Sequence, residues 1–130
     1  MLESIAADVL EAILNALPVE VSFINANDEV AYFNKNGDRI FPRPRSVIGR
    51  KVQQCHPPKS LHKVTQILDA FRSGKRDVAE FWIDLHGRQI YIRYFPVRDK
   101  NGRYLGTLEV SQDITAIKKI DGEKRLLDWK

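Results

Sequence analysis

The stretch from Phe95 to Thr115 constrains the fold of this chain more than any other segment. Arg98-Asp-Lys-Asn-Gly102 supplies a turn, because Asn101 and Gly102 tolerate the left-handed backbone that a short hairpin needs. Tyr104 to Val110 is rich in residues that suit a pleated sheet. Asp113-Ile-Thr115 then stops the strand with side chains that bond the local backbone or cap a following helix. The segment therefore reads as two strands joined by a tight turn and closed by a polar stop.

The rest of the pattern surrounds this hairpin. Leu2 to Leu17 reads as one amphipathic helix, with Leu2, Ile5, Val9 and Ile13 recurring at helical spacing and Pro18 at its end. So broad an apolar face is expected to be buried, on the domain's own sheet or on a second copy of the helix. Short strands follow at Val19 to Ile24 and Val30 to Phe33, with the turn Asn25-Ala-Asn-Asp28 between them. Asn34 to Pro58 is irregular, with four prolines, and a loop of that length inside a domain is usually functional or packed around something. Ser60 to Ser73 is a second helix, with Ser60 as its expected N-cap and Gly74 as its stop. Strands are expected at 78–85, 89–97 and 104–114, and a weaker helix over 116–129. At 130 residues this is one core's worth of chain, divided as a helix over 1–17, a domain over 18–115 and an output helix or tail over 116–130.

Alternation sorts the last three strands into two sets. One holds Phe81, Ile83, Ile90, Ile92, Tyr94, Thr107, Glu109 and Ser111; the other holds Trp82, Tyr91, Arg93, Phe95, Leu108 and Val110. Both are largely apolar, so both sheet faces are expected to be covered. Ile92, Tyr94, Glu109 and Ser111, with Phe81 beside them, place a few polar groups on an apolar wall, as small-molecule sites do. A filled core with those polar groups satisfied locally is the competing reading.

The chain resembles a PAS domain over about residues 18–115. Tyr32-Phe-Asn34, Phe41-Pro-Arg-Pro-Arg-Ser-Val-Ile-Gly-Arg50, Cys55-His-Pro-Pro-Lys-Ser60, Ala79-Glu-Phe-Trp-Ile83, Tyr91-Ile-Arg-Tyr-Phe95 and the closing Asp113-Ile-Thr115 carry the resemblance. Within the family they are similar to a subgroup found at the C-terminus of hemerythrin-like proteins of bacteria and archaea. The resemblance implies an α+β fold: a five-stranded antiparallel sheet in the order 2-1-5-4-3, with helices over one face enclosing a pocket. It implies a sensory module, with Asp113, Ile114 and Thr115 as the joint that relays a change to flanking helices. The apolar face of the Leu2–Leu17 helix, with Ile5, Val9 and Ile13, is in addition expected to form part of a homodimer, and an upstream or partner signalling domain is expected.

Other chemistry is less well supplied. Arg43, Arg45, Arg50, Lys59 and Arg93 form a basic set that is a candidate for holding an anionic ligand such as a carboxylate, against a role in tying the proline-rich loop to nearby carboxylates. Cys55, His56 and His62 are the candidates for a haem, metal or redox site. Against that, one cysteine and three histidines lack ligand-pair spacing, and Pro57-Pro58 reads as a helix start beside a packed thiol. The flavin-binding motif of light-sensing relatives is absent after Gly49-Arg50, and flavin is not expected. Catalytic motifs are also missing, so an enzyme is not expected. The net charge of +4 is scattered, which argues against a direct nucleic-acid surface. No apolar run spans a bilayer, and the single cysteine fits a reducing cytoplasm.

Overall fold

The computed structural model describes residues 1–129. The expected hairpin is present and forms the centre of the sheet. β4 (Arg88–Arg98) and β5 (Tyr104–Asp113) pair antiparallel in a register that sets Ile92 opposite Ser111 and Tyr94 opposite Glu109. The Asp99 carboxylate oxygen accepts the backbone N–H of Asn101 and Arg103, both at 2.9 Å, which folds the connecting loop. β3 (Ala79–Leu85) joins β4 through His86 and Gly87, both with positive φ (53° and 80°), as a two-residue turn between right-twisted strands requires.

β1 (Glu20–Asn25) pairs with β5 on one side and with β2 (Val30–Phe33) on the other. The sheet order is therefore β2-β1-β5-β4-β3, and the architecture is the expected five-stranded antiparallel α+β fold. Gly106 makes the β1–β5 crossing close. A Cβ there would sit 2.2 Å from the Ile24 carbonyl oxygen, so no side chain fits.

One helix, α2 (Pro58–Arg72), lies over one face of this sheet. It starts at Pro58 with Pro57 as N-cap, two residues before the expected Ser60. Proline's fixed φ suits the first helical position, where its missing N–H costs nothing. Val64, Leu68 and Phe71 form its buried stripe. Val64 and Leu68 join Ile24, Val30, Phe33, Val47 and Val52 in one apolar cluster, while Phe71 joins Ile90, Ile92 and Tyr94 in a second. Two single turns of 3₁₀ helix, Arg45–Val47 and Val52–Gln54, carry the irregular stretch around the end of the sheet.

Both termini depart from expectation. The N-terminal helix is α1 (Ala7–Ala16), shorter than the expected 2–17, because the backbone at Ile5 and Ala6 is extended. Ser4 Oγ instead donates to the Met1 carbonyl at 2.9 Å and closes a separate turn, Leu2–Ser4. Among the described residues beyond β5, only Ile117–Lys119 is helical, as one 3₁₀ turn. Gly122 has a left-handed backbone (φ 64°), and Ile120, Leu126, Leu127 and Trp129 stay exposed. A weak helix without a surface to pack on does not form. Lys130, the last residue of the expected tail, lies outside the described residues.

The second sheet face is not covered along its whole width. α1 is tied to the β2 edge: Asn34 Nδ2 donates to the Leu14 carbonyl at 2.7 Å, and the Lys35 N–H donates to Asn15 Oδ1 at 2.9 Å. Trp82, at the far edge, is 60% exposed, and Tyr91, Phe95 and Leu108 are half-buried.

Candidate ligand-binding site

Alternation along the strands places Glu20, Ser22, Thr107, Glu109 and Ser111 on the α2 side of the sheet, among Ile24, Phe81, Ile92 and Tyr94. All five are buried, an unusual density of polar groups for an interior sheet face. They fall into two systems. One holds the loop that forms a wall, and the other faces a cavity.

The wall depends on Glu20 and Arg39, whose side chains are 3% and 2% exposed. Glu20 accepts the backbone N–H groups of Ile40 and Phe41 at 2.6 and 3.0 Å. Arg39 lies 3.6 Å from the same carboxylate and donates to the carbonyls of Phe41 (3.0 Å) and Asn34 (2.8 Å) and to Ser22 Oγ (3.2 Å). Burial pushes the Arg39 guanidinium below its ordinary value, and the Glu20 charge opposes that shift. Asn34 completes the joint by accepting the Val21 N–H at 2.7 Å. Irregular backbone at this depth has its polar groups satisfied by side chains, as buried loops require.

With the loop so fixed, a cavity of about 320 Å³ lies between it, α2 and the sheet. The sheet contributes Phe81, Ile92, Tyr94, Glu109 and Ser111; α2 contributes Ser60, Lys63, Val64 and Ile67; the loop contributes Phe41, Arg43 and His56. Arg43 Nη2 donates to Glu109 Oε1 at 3.0 Å across this space. Tyr94 stacks on Phe81 with ring centroids 6.0 Å apart, and Lys63 Nζ sits 5.1 Å from the Phe81 ring centre. Burial, and then the Glu109 charge, raise the Tyr94 phenol, so it stays protonated. Ser111 Oγ and Arg43 Nε are buried without a hydrogen-bond partner. Both residues line the cavity.

Of the residues singled out in the sequence, Ile92, Tyr94, Glu109, Ser111, Phe81 and Arg43 converge on this space. Arg45 does not. It is exposed on the 3₁₀ turn after Pro44 and borders a separate groove with Leu10, Leu14 and Tyr32. Arg43 precedes the 3₁₀ turn and Arg45 opens it, and spacing alone could not tell the two apart. Lys63 and Ser60 were missed, although each stands one helical turn, four residues, before an apolar position of α2, Ile67 and Val64 respectively.

Cys55, His56 and His62 are not brought together. Cys55 packs against the Val30–Leu68 cluster, with Sγ 3.5 Å from the Lys51 carbonyl, and His62 is exposed on the outer side of α2. His56 alone lines the cavity, its Nδ1–H donating to the Val52 carbonyl at 2.9 Å. The structure therefore sets one candidate ligand, His56, on the cavity wall and leaves Cys55 and His62 away from it. Among the described residues, no three His, Cys, Asp or Glu side chains form a group that could hold a metal ion.

The end of β5 forms a clasp. Thr115 donates to Asp113 Oδ1 from both its N–H (3.0 Å) and its hydroxyl (2.6 Å), and its Oγ1 accepts the Gln89 N–H at 2.9 Å. Arg88 Nε donates to Asp113 Oδ2 at 2.7 Å. The Thr115 bonds first, and then Arg88, hold the Asp113 carboxyl at about 2, below its ordinary 3.8.

The sheet is closed on one face over a small polar-lined cavity, and its last strand is clasped to its neighbour. The PAS domain family model matches residues 10–115, and the chain belongs to the PAS domain family. A C-terminal domain from Streptococcus mutans is 36% identical, covers 90% of this chain and 91% of its own, and superposes with a TM-score of 0.84. The PAS domain of BvgS from Bordetella pertussis is 18% identical, over 83% of this chain and 85% of its own, with a TM-score of 0.61. A sensory box sensor histidine kinase from Vibrio cholerae is 12% identical, over 82% and 90%, with a TM-score of 0.59. The last two likenesses concern the fold alone. No curated protein matches the chain.

Two outcomes follow. Arg39→Met leaves Glu20 buried without its counter-charge, and is expected to cost about 3–5 kcal/mol in urea unfolding. The clasp has its own pH signature. Because the folded carboxyl of Asp113 titrates below the unfolded one, its contribution is complete above 3.8 and is lost as pH falls through about 2. The Tm advantage of the native chain over Asp113→Asn should therefore shrink across that window and stay flat above it.

Proposed function

We propose that this PAS domain senses a small molecule held between α2 and the inner sheet face, and passes its presence to flanking segments through Asp113-Ile-Thr115. The observation that carries the reading is the pair of unpartnered buried groups, Ser111 Oγ and Arg43 Nε, on the wall of a cavity that mixes apolar and polar lining. A buried polar group without a partner costs about 1–3 kcal/mol, which a ligand that pairs with it recovers. Ser111 lies two residues before Asp113 on β5, on the same strand face, so a shift of the cavity wall reaches the clasp directly. A ligand with different affinity for two positions of that strand is then the switch. A sensory box sensor histidine kinase with the same fold gives the reading its setting, in which this domain works with a signalling partner. Kinship with the hemerythrin-associated subgroup is part of the proposal. It rests on the run of motifs and on a 36%-identical neighbour that is a C-terminal domain.

A second reading, dimerisation through α1, is favoured by Val9 and Ile13. These stay 49% and 46% exposed while Leu10 and Leu14 turn toward the domain. An apolar stripe left outside suits a second copy of itself.

Each reading has a direct measurement. Native mass spectrometry of gently purified protein is expected to show a population heavier than the polypeptide, absent in Ser111→Leu, which fills the cavity. Bare polypeptide mass in every preparation would leave a structural domain in place of a sensor. Light scattering at micromolar concentration is expected to give a dimer that becomes monomeric when residues 1–17 are removed; a monomer throughout overturns the α1 interface.

A further inference from the structure

We infer that the cavity is built for a small monocarboxylate with a short apolar body, an assignment that rests on the ligand-sensing reading above. The lining carries two cationic side chains, Arg43 and Lys63, and one carboxylate, Glu109. Arg43 and Glu109 satisfy one another at 3.0 Å, which leaves the Lys63 charge and the Arg43 Nε–H facing nothing of opposite sign. The partnerless groups are an Arg N–H and a serine hydroxyl. An unpartnered guanidinium N–H beside a hydroxyl that can donate, with a lysine at the rim, is complementary to a group that only accepts, and an ionised carboxylate is such a group.

The alternatives fail on sign or shape. A cationic ligand meets Lys63 and Arg43. A second acidic group would come near Glu109, or would be desolvated against Phe41, Val64, Ile67 and Ile92, which supply no donors. The volume limits the body: about 320 Å³ accommodates on the order of ten water-sized groups. Glu109 takes on a specific part in this scheme. It is a resident carboxylate already occupying the guanidinium that the ligand would use, so the ligand competes with it for Arg43.

That competition makes the variants move in opposite directions. Isothermal titration of the full chain with hexanoate, hexanamide and adipate tests it. Hexanoate is expected to bind saturably and about tenfold more tightly than either of the others. Arg43→Gln should weaken hexanoate about tenfold, and the exposed Lys63→Gln should weaken it several-fold at low salt, without risk to folding. Glu109→Gln should tighten it, because the competitor is gone. Equal binding of hexanoate and hexanamide, or weaker hexanoate binding in Glu109→Gln, overturns the carboxylate assignment while the cavity remains a ligand site. Failure of hexanoate to bind, with a neutral molecule found in the native mass spectrum, does the same. Hexanoate binding that survives Ser111→Leu removes the site itself, and with it the sensing reading.

Discussion

The buried contact between Glu20 and Arg39 is what the enclosed side of this domain depends on. Neither residue belongs to the cavity, yet between them they bind four successive features of the chain: the start of β1, the end of β2, Ile40 and Phe41. Two charges so deep in a protein stabilise little by attraction alone, since desolvation offsets most of the Coulomb term. Their value here is positional. A loop with prolines at 42 and 44 has few backbone donors of its own, and a carboxylate that accepts two of its N–H groups fixes where Phe41 and Arg43 must stand. The wall is therefore as rigid as the sheet it is anchored to.

Much of the fold was legible because it follows from local rules. The two hairpins on either side of β4 came from turn chemistry at His86-Gly87 and Asp99–Gly102, and the sorting of β3 to β5 into faces came from alternation, which the pairing register reproduces. The sheet order was not local. It came with the family resemblance, since nothing in the spacing of β1 says that it inserts between β2 and β5. The ends of the chain were misread where periodicity lacked a partner. Leu2 and Ile5 fit the helical stripe, but Ser4 found a nearer carbonyl. Ile120, Leu126 and Leu127 fit another stripe and had no surface on which to fold.

The cavity was partly legible for the same reason. Strand alternation picks out Ile92, Tyr94, Glu109 and Ser111 as one face, but residues from the loop and from α2 reach the space only through tertiary packing. Glu20 offered a signal that went unread: a carboxylate between Val19 and Val21, at a position where an edge strand would expose it and a central strand must bury it. Lys63 gave no such signal, because one lysine on a helix is ordinary. The uncovered aromatic strip at Trp82 and Tyr91 is the reverse case. Its composition suggested burial, and α1 is too short and too close to β2 to provide it.

Gly106 has a consequence beyond the closeness of two strands. If β5 slid by one residue against β1, Leu105 or Thr107 would bring a Cβ to the Ile24 carbonyl, where only hydrogen fits. The same slip would turn Glu109 and Ser111 to the outside and put Leu108 and Val110 in their place. A single glycine thus favours one register over its neighbours, and the pairing it permits is the one that delivers polar groups to the cavity.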